Sequence, residues 1–432
     1  MKTGLFLILG LLAAGFSLPS HAQEPVQVKV VRSEGRYAIK AGDREIFVKG
    51  VGGTNNLDVA AANGANACRT WGGNASEIRR TIEAASASGM YIMQGIWLPK
   101  EQELYSNSEW KAKMLQECRN LAREFRGDPN ILIWGIGNEI ELDKGAGAAE
   151  AWRFVDEIAR EMRAIDPYHL YSTVISYNKD ALDAIARYAP SLDIVGINCY
   201  GGIDTLAETV RCSEYDGPYM VTEWGPTGWW EIDQTSWGAP LEQTSEEKRR
   251  VYEERYRIIA SDPACTGSFC FLWGQKEERT PTWFCMFVEH DVEGLPLNGE
   301  KTPMVEAMER CWTGREPARV APVIGGITAG RRLPGESATF AAGQKIRFAV
   351  EAKDRDKDID RYVWEVLREA TVTATGGAWE PRPDRVGEVH TTSSPSIRLT
   401  FDEPGNYRVY VYVLDKAGFA STANIPVRIS GK

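Results

Sequence analysis

Hydrophobic and polar positions follow two textures along the chain, and the change between them falls near residue 315. From about residue 45 to 312, apolar runs of strand length alternate with segments whose apolar residues recur every three or four positions. That alternation predicts βα units and a parallel sheet. Eight strands are read at 46–50, 65–69, 90–96, 131–137, 170–176, 194–199, 219–222 and 267–273, with a small hairpin over 26–47 leading into the first. Trp110, Met114, Cys118, Leu121, Ala122 and Phe125 recur at helical spacing after the capping box Ser106-x-x-Glu109, and Gly127-Asp128-Pro129 ends that helix. A second helix covers 151–165, and a third opens on Thr244-x-x-Glu247 and runs to about 260. Eight strands with helices between them over about 270 residues fit a closed (β/α)8 TIM barrel. The competing arrangement is a doubly wound open sheet, and no Gly-rich phosphate loop supports it.

Beyond residue 315 helical periodicity stops, and short strands separated by Gly/Pro turns take over at 345–352, 361–366, 396–401, 407–414 and 424–429. This predicts a small all-β sandwich over 315–432, following a barrel domain over 23–314. Tyr362-Val363-Trp364 and Pro404-Gly405-Asn406-Tyr407 resemble motifs of Ig-like domains of the polycystic-kidney-disease type. Trp364, Tyr407, Tyr410 and Tyr412 alternate in a way that suits a core, so the domain reads as a spacer or a cover for the barrel. The run Asp354-x-Asp356-x-Asp358-x-Asp360 lacks the Gly and distal Glu of a calcium loop and reads as a turn.

Two strand-like runs end in a carboxylate. Ile131-Leu132-Ile133-Trp134-Gly135-Ile136-Gly137 is followed by Asn138-Glu139, and Tyr219-Met220-Val221-Thr222 by Glu223-Trp224-Gly225. A buried strand that delivers a charge at its C-terminal tip is how a parallel barrel builds a site. Paired carboxylates of this kind suit glycosidic bond chemistry, one as acid/base and one as nucleophile.

The remaining composition narrows the field. The 432-residue chain has a net charge of −10, which disfavours nucleic acid and anionic polymers and fits a neutral substrate. Four histidines lie far apart without ligand spacing, which argues against a zinc hydrolase; no metal or cofactor is expected. No G-x-S-x-G elbow supports a Ser-His-Asp hydrolase. Lys2, an apolar stretch over 5–16 and Ser20-His21-Ala22 read as a signal peptide cleaved after Ala22, hence a periplasmic or extracellular protein. No later segment is apolar enough to span a membrane. Eight cysteines in a secreted chain permit disulfides, although Cys68, Cys199 and Cys270 sit in apolar runs that suit buried thiols. A monomer is expected.

Lys49-Gly50-Val51, Gly64-Ala65-Asn66-Ala67-Cys68-Arg69, Trp134-x-x-Gly137-Asn138-Glu139, Asn198-x-Tyr200 and Thr222-Glu223-Trp224-Gly225 together resemble clan A glycoside hydrolases. The likeness is greatest to the barrels of family 2 β-galactosidases and β-glucuronidases and to β-1,3-glucanosyltransferases. The resemblance implies a retaining enzyme with Glu139 as acid/base at the tip of strand four and Glu223 as nucleophile at the tip of strand seven. It implies Arg69 and Tyr200 as the groups that hold Glu223, with Asn198 alongside them and Asn138 donating to the sugar 2-hydroxyl. Among 14 tryptophans, Trp71, Trp97, Trp224, Trp229, Trp230, Trp237, Trp273 and Trp283 fall near the tops of strands. Flat rings there suit the apolar faces of sugars, and Trp71, Trp97, Trp224, Trp273 and Trp283 are taken as substrate contacts, Trp273 as a subsite floor. The expected partner is an oligo- or polysaccharide. Two alternatives stay open: a β-glucan transglycosylase using the same two carboxylates, and an inactive barrel that only binds glycan.

Overall fold

The computed structural model describes residues 25–142, 149–372 and 379–431. The signal read at 1–22 lies outside the described residues. Strands β1 (Val28–Ser33), β2 (Arg36–Ala41) and β3 (Arg44–Ile46) form an antiparallel sheet. Eight parallel strands follow: β4 (Val48–Gly52), β5 (Ala67–Arg69), β6 (Tyr91–Ile96), β7 (Ile131–Asn138), β8 (Leu170–Ser176), β9 (Ile194–Asn198), β10 (Tyr219–Trp224) and β11 (Cys265–Cys270). They close in chain order, β11 pairing with β4, into a TIM barrel. Around it run α1 (Leu57–Ala62), α2 (Ala75–Ala87), α3 (Ser108–Glu124), α4 (Ala149–Ile165), α5 (Lys179–Tyr188), α6 (Ile203–Arg211), α7 (Ser245–Ser261) and α8 (Pro303–Thr313). Among the described residues no helix is long and apolar enough to cross a membrane.

Local chemistry sets the element ends. Thr244 and Glu247 form the expected capping box on α7. The expected box at Ser106 is corrected: Ser106 closes a 3₁₀ turn, and Asn107 caps α3 by accepting from the amides of Glu109 and Trp110. Strand eight ends at Cys270, three residues short of the expected Trp273. All eight cysteines are free thiols, and Cys68, Cys199 and Cys270 are buried.

The barrel strands are buried on both faces, which is why they read as continuous apolar runs. Their inward side chains, among them Ile133, Leu170, Met220 and Phe269, share a core with Val28, Ile39 and Ile46 of the N-terminal sheet. That sheet bonds to chain entering the strands, Val28 N to Tyr168 O and Tyr37 N to Pro263 O, both 2.8 Å. It therefore plugs the N-terminal end of the barrel and leaves the C-terminal end open for a site.

After α8 the chain forms two sheets. β12 (Val323–Ala329), β14 (Lys345–Lys353) and β17 (Ser396–Thr400) make one; β13 (Thr339–Ala341), β19 (Ala420–Ser430), β18 (Gly405–Asp415), β15 (Ile359–Arg368) and β16 (His390–Thr392) make the other. Trp364 and Tyr407 lie in the core between them. Tyr410 and Tyr412 do not: they face the barrel and pack with Val288, Leu295 and Leu297 from the chain after β11. Alternate residues of β18 face the two ways, Tyr407, Val409 and Val411 into that core and Tyr410 and Tyr412 toward the barrel. In the acidic run, the Asp354 carboxylate accepts from the amides of Asp356 and Asp358 and closes a turn.

Candidate active site

The open end of the barrel holds a cleft of about 800 Å³ lined by the strand tips and the loops beyond them. Arg69 ends β5, Asn138 ends β7, Asn198 ends β9, and Glu223 is the penultimate residue of β10. Glycine makes room for this crowding. A Cβ on Gly95 of β6 would stand 2.4–2.7 Å from the Thr70–Trp71 backbone, so the chain carrying Trp71 crosses there against bare backbone. Gly137, at φ +78°, begins the turn that places Glu139 just beyond β7.

Glu223 is buried and fixed by three donors. Its Oε1 accepts from Arg69 Nη1 at 2.9 Å and Trp71 Nε1 at 2.7 Å, and its Oε2 from Tyr200 Oη at 3.2 Å. Arg69 is itself fixed, donating to Thr222 O at 2.8 Å and Asn138 Oδ1 at 2.6 Å. Burial pulls its guanidinium down and Glu223 pushes back, but a guanidinium remains protonated in proteins. Burial, with Glu223 beside it, holds the Tyr200 phenol well above its ordinary value, so it donates as a neutral hydroxyl.

Glu139 has a different environment. Its backbone sits in the left-handed region at φ +50°, a conformation costing a non-glycine residue about 1–3 kcal/mol. Its Oε1 accepts from Asn198 Nδ2 at 3.0 Å, and Oε2 lies 3.9 Å from Lys100 Nζ. Burial and then Glu223 push its carboxyl up, against Asn198 and Lys100, to about 7. Such a group carries and releases a proton near neutrality. Asn198 connects the two halves: its Oδ1 accepts from Thr222 Oγ1 at 2.9 Å, and its Nδ2 reaches Asn138 Oδ1 at 3.3 Å.

Of the residues expected from sequence, Glu139, Glu223, Arg69, Asn138, Asn198, Tyr200 and Trp71 meet in one hydrogen-bonded group, and Trp97 stands exposed on the cleft wall. Three tryptophans fall elsewhere. Trp224 is fully buried against Tyr252 and Tyr256 of α7, because adjacent strand residues face opposite ways and Glu223 takes the inner side. Trp273 is fully buried against Phe287 and Trp312, its Nε1 donating to Asn56 O. Trp283 lies behind the wall, its Nε1 donating to Thr227 O. Trp273 was expected as a subsite floor; the residue of this stretch that lines the cleft is instead Phe271, the first past the true end of β11. Sequence reading also missed Tyr177, Lys276 and Glu278, which lie on loops without strand signals.

No protein-family model matches the chain, and no curated protein matches it in sequence. Solved structures do resemble it. The GH2 β-galacturonidase from Eisenbergiella tayi bound to galacturonate aligns with TM-score 0.52 at 16% identity, over 67% of this chain and 54% of that one. The β-glucuronidase from Ruminococcus gnavus in complex with a C6-substituted uronic isofagomine gives 0.52 at 14%, over 66% and 52%. Bacteroides uniformis β-glucuronidase 2 gives 0.50 at 11%, over 94% and 48%. The chain spans about half the length of these neighbours. At such identities the likeness is one of fold, and the fold it shows is the parallel eight-stranded barrel with an all-β region beside it.

Proposed function

We propose that the chain is a secreted retaining β-glycosidase that cleaves a neutral β-linked glycan by double displacement. The observation that carries this reading is the contrast between two strand-tip carboxyls in one network. Glu223 is held by Arg69, Trp71 and Tyr200, while Glu139 is held near neutrality by burial and by Glu223. In the first step Glu223 attacks the anomeric carbon. Its Oε2 carries a single long bond, from Tyr200, and is the freer oxygen. The bond to the leaving oxygen breaks, and that oxygen takes the proton of Glu139. In the second step water attacks the same carbon, Glu139 takes the water's proton, and Glu223 is released. Inversion occurs twice, so configuration is retained.

The surrounding groups suit this sequence. Asn138 Oδ1 is occupied by Arg69 and Asn198, which fixes the amide and leaves its NH₂ to donate to a sugar hydroxyl. A neutral substrate is favoured by charge. Glu139, Glu223, Glu231 and Glu278 line the cleft, while Lys276 there is paired with Glu278 at 2.6 Å. Among the described residues that line the cleft, the one lysine is thus already paired, and a uronic acid there would meet carboxylates.

The test is a panel of aryl β-glycosides and β-glucans, mannans and xylans, with proton NMR of the first anomer released. Cleavage of a neutral substrate with retention is expected, at least about tenfold faster than the matching β-glucuronide. An inverted product, a preference for the glucuronide, or binding of neutral glycans without turnover would overturn the proposal.

A further inference from the structure

The turn that carries Glu139 contains a second buried carboxyl. Glu141 is 1% exposed, on a loop at the mouth of the cleft. Its Oε1 accepts from both the amide and the hydroxyl of Ser176, at 2.7 and 2.9 Å. Ser176 is the last residue of β8 and lines the cleft. The other oxygen, Oε2, is buried and has no hydrogen-bond partner among the described residues. A carboxyl half satisfied in this way is costly, and a surface loop has cheaper residues to offer.

The surrounding turn explains what it accomplishes. Glu139 N donates to Val174 O at 2.8 Å, and Leu142 N returns to Glu139 O at 3.1 Å, so residues 139–142 form a tight turn across the end of β8. Ile140 between the two carboxyls is fully buried, and its carbonyl accepts from Gln102 Nε2 at 2.6 Å. Glu139 is held at φ +50° inside this turn. Strain of that kind persists only where neighbouring contacts over-determine it.

We propose that Glu141 is a positioning residue for Glu139: its carboxyl ties the turn after β7 to the tip of β8 and fixes where the acid/base stands. The inference rests on the role given to Glu139 above. It has a second, electrostatic side. Among the described residues, five titratable groups face Glu139: Glu223 from β10, Arg69 from β5, Tyr200 from the chain after β9, Lys100 from the chain after β6, and Glu141 from its own turn. Glu141 acts with burial and Glu223 to raise the Glu139 carboxyl, against Asn198 and Lys100.

The two sides separate by substitution. Glu141→Gln keeps an oxygen for Ser176 and removes the titratable carboxyl, which burial itself pushes up, whereas Glu141→Ala removes both. The Glu139 titration is read directly by carboxyl ¹³C NMR of glutamate-labelled protein, and by the basic limb of the kcat/KM profile on a cleaved aryl glycoside. Glu141→Gln is expected to move both to lower pH by about 0.5 unit with KM unchanged. Glu141→Ala is expected to lower kcat by about 10²-fold with KM within threefold, because a displaced acid misses the leaving oxygen. An unmoved titration in Glu141→Gln with wild-type kcat, or a kcat loss in Glu141→Ala matched by loss of folded protein while Glu141→Gln stays wild type, overturns the inference. Glu139→Gln is the control. If it retains wild-type turnover, the role of Glu139 is wrong; if it is dead while Glu141→Gln is indistinguishable from wild type, only the present inference fails.

Discussion

Two carboxyls withdrawn from solvent, Glu139 and Glu242, were given opposite environments. Glu242 sits where the barrel meets the C-terminal sheets. Its Oε1 accepts from Lys248 Nζ at 2.5 Å and Thr282 Oγ1 at 2.8 Å, and its Oε2 from Thr280 Oγ1 and Asn424 Nδ2, both 2.6 Å. Burial pushes this carboxyl up, but Lys248 and the hydrogen bonds outweigh it and hold Glu242 below the usual range. Among the described residues Glu139 has one donor, a lysine at 3.9 Å and a second carboxylate nearby, and it is pushed up to about 7. A satisfied buried charge stabilises the fold, and a frustrated one is available for chemistry. Glu242 joins the chain after β10, α7, the chain after β11 and β19 with one group. Arg408 adds to the same junction, donating to Pro240 O and Asn424 Oδ1. The C-terminal sheets thus brace the loops that carry Trp229, Trp230 and Glu278 to the cleft.

The largest effect that probes this comparison is on stability. Glu242→Ala leaves the fully buried Lys248 ammonium without its carboxylate, at a cost of about 3–5 kcal/mol. Thermal unfolding is expected to show a Tm lower by several degrees. Deleting 315–432 removes Asn424 and Arg408 from the junction and is expected to lower the Tm of the remaining barrel in the same direction. Equal Tm values would mean that the junction is dispensable and the two regions fold independently.

The smaller effect has the opposite sign. Because the Glu139 carboxyl titrates near 7 when folded against 4.5 for its ordinary value, the native state binds the extra proton between those limits. Its contribution to stability therefore falls as pH rises from about 4.5 to 7 and stays low above that. Glu139→Gln is expected to stabilise the protein by about 1–2 kcal/mol at pH 8 and not at all near pH 4. Glu242 behaves in reverse: its stabilisation is present above the ordinary carboxylate range and is lost on acidification through its depressed folded value. Urea unfolding of wild type and Glu139→Gln at the two pH values checks this. A Glu139→Gln variant less stable than wild type at pH 8 would remove the contrast.

Much of this was legible in the sequence, and the failures have physical causes. The continuous apolar run of β7 and the abrupt Asn138-Glu139 at its end mark a buried strand delivering polar groups to a barrel mouth. Trp224 was misplaced although strand alternation already set it opposite Glu223. Trp273 was misplaced because β11 stops at Cys270, and an apolar run of strand length does not reveal where pairing ends. Tyr410 and Tyr412 face the barrel because β18 is covered on both sides, which its apolar character carries but does not assign. The Glu242 cluster was invisible, since it joins side chains up to 182 positions apart that lack any motif. Glu141 was likewise hidden, as its partner Ser176 lies 35 positions away.

The central claim, that Glu223 attacks and Glu139 shuttles the proton, is tested most directly in the Glu139→Ala variant. With an aryl β-glycoside whose leaving group needs little protonation, the first step survives and the second lacks its base. Peptide mass spectrometry is then expected to find one glycosyl adduct, on the peptide containing Glu223, and azide is expected to restore turnover and give a β-glycosyl azide. Glu223→Ala is expected to lose at least about 10⁴-fold of activity on every substrate, with no adduct. An azide-rescued Glu223→Ala that yields the inverted product, together with an unrescued and unlabelled Glu139→Ala, would contradict the assignment.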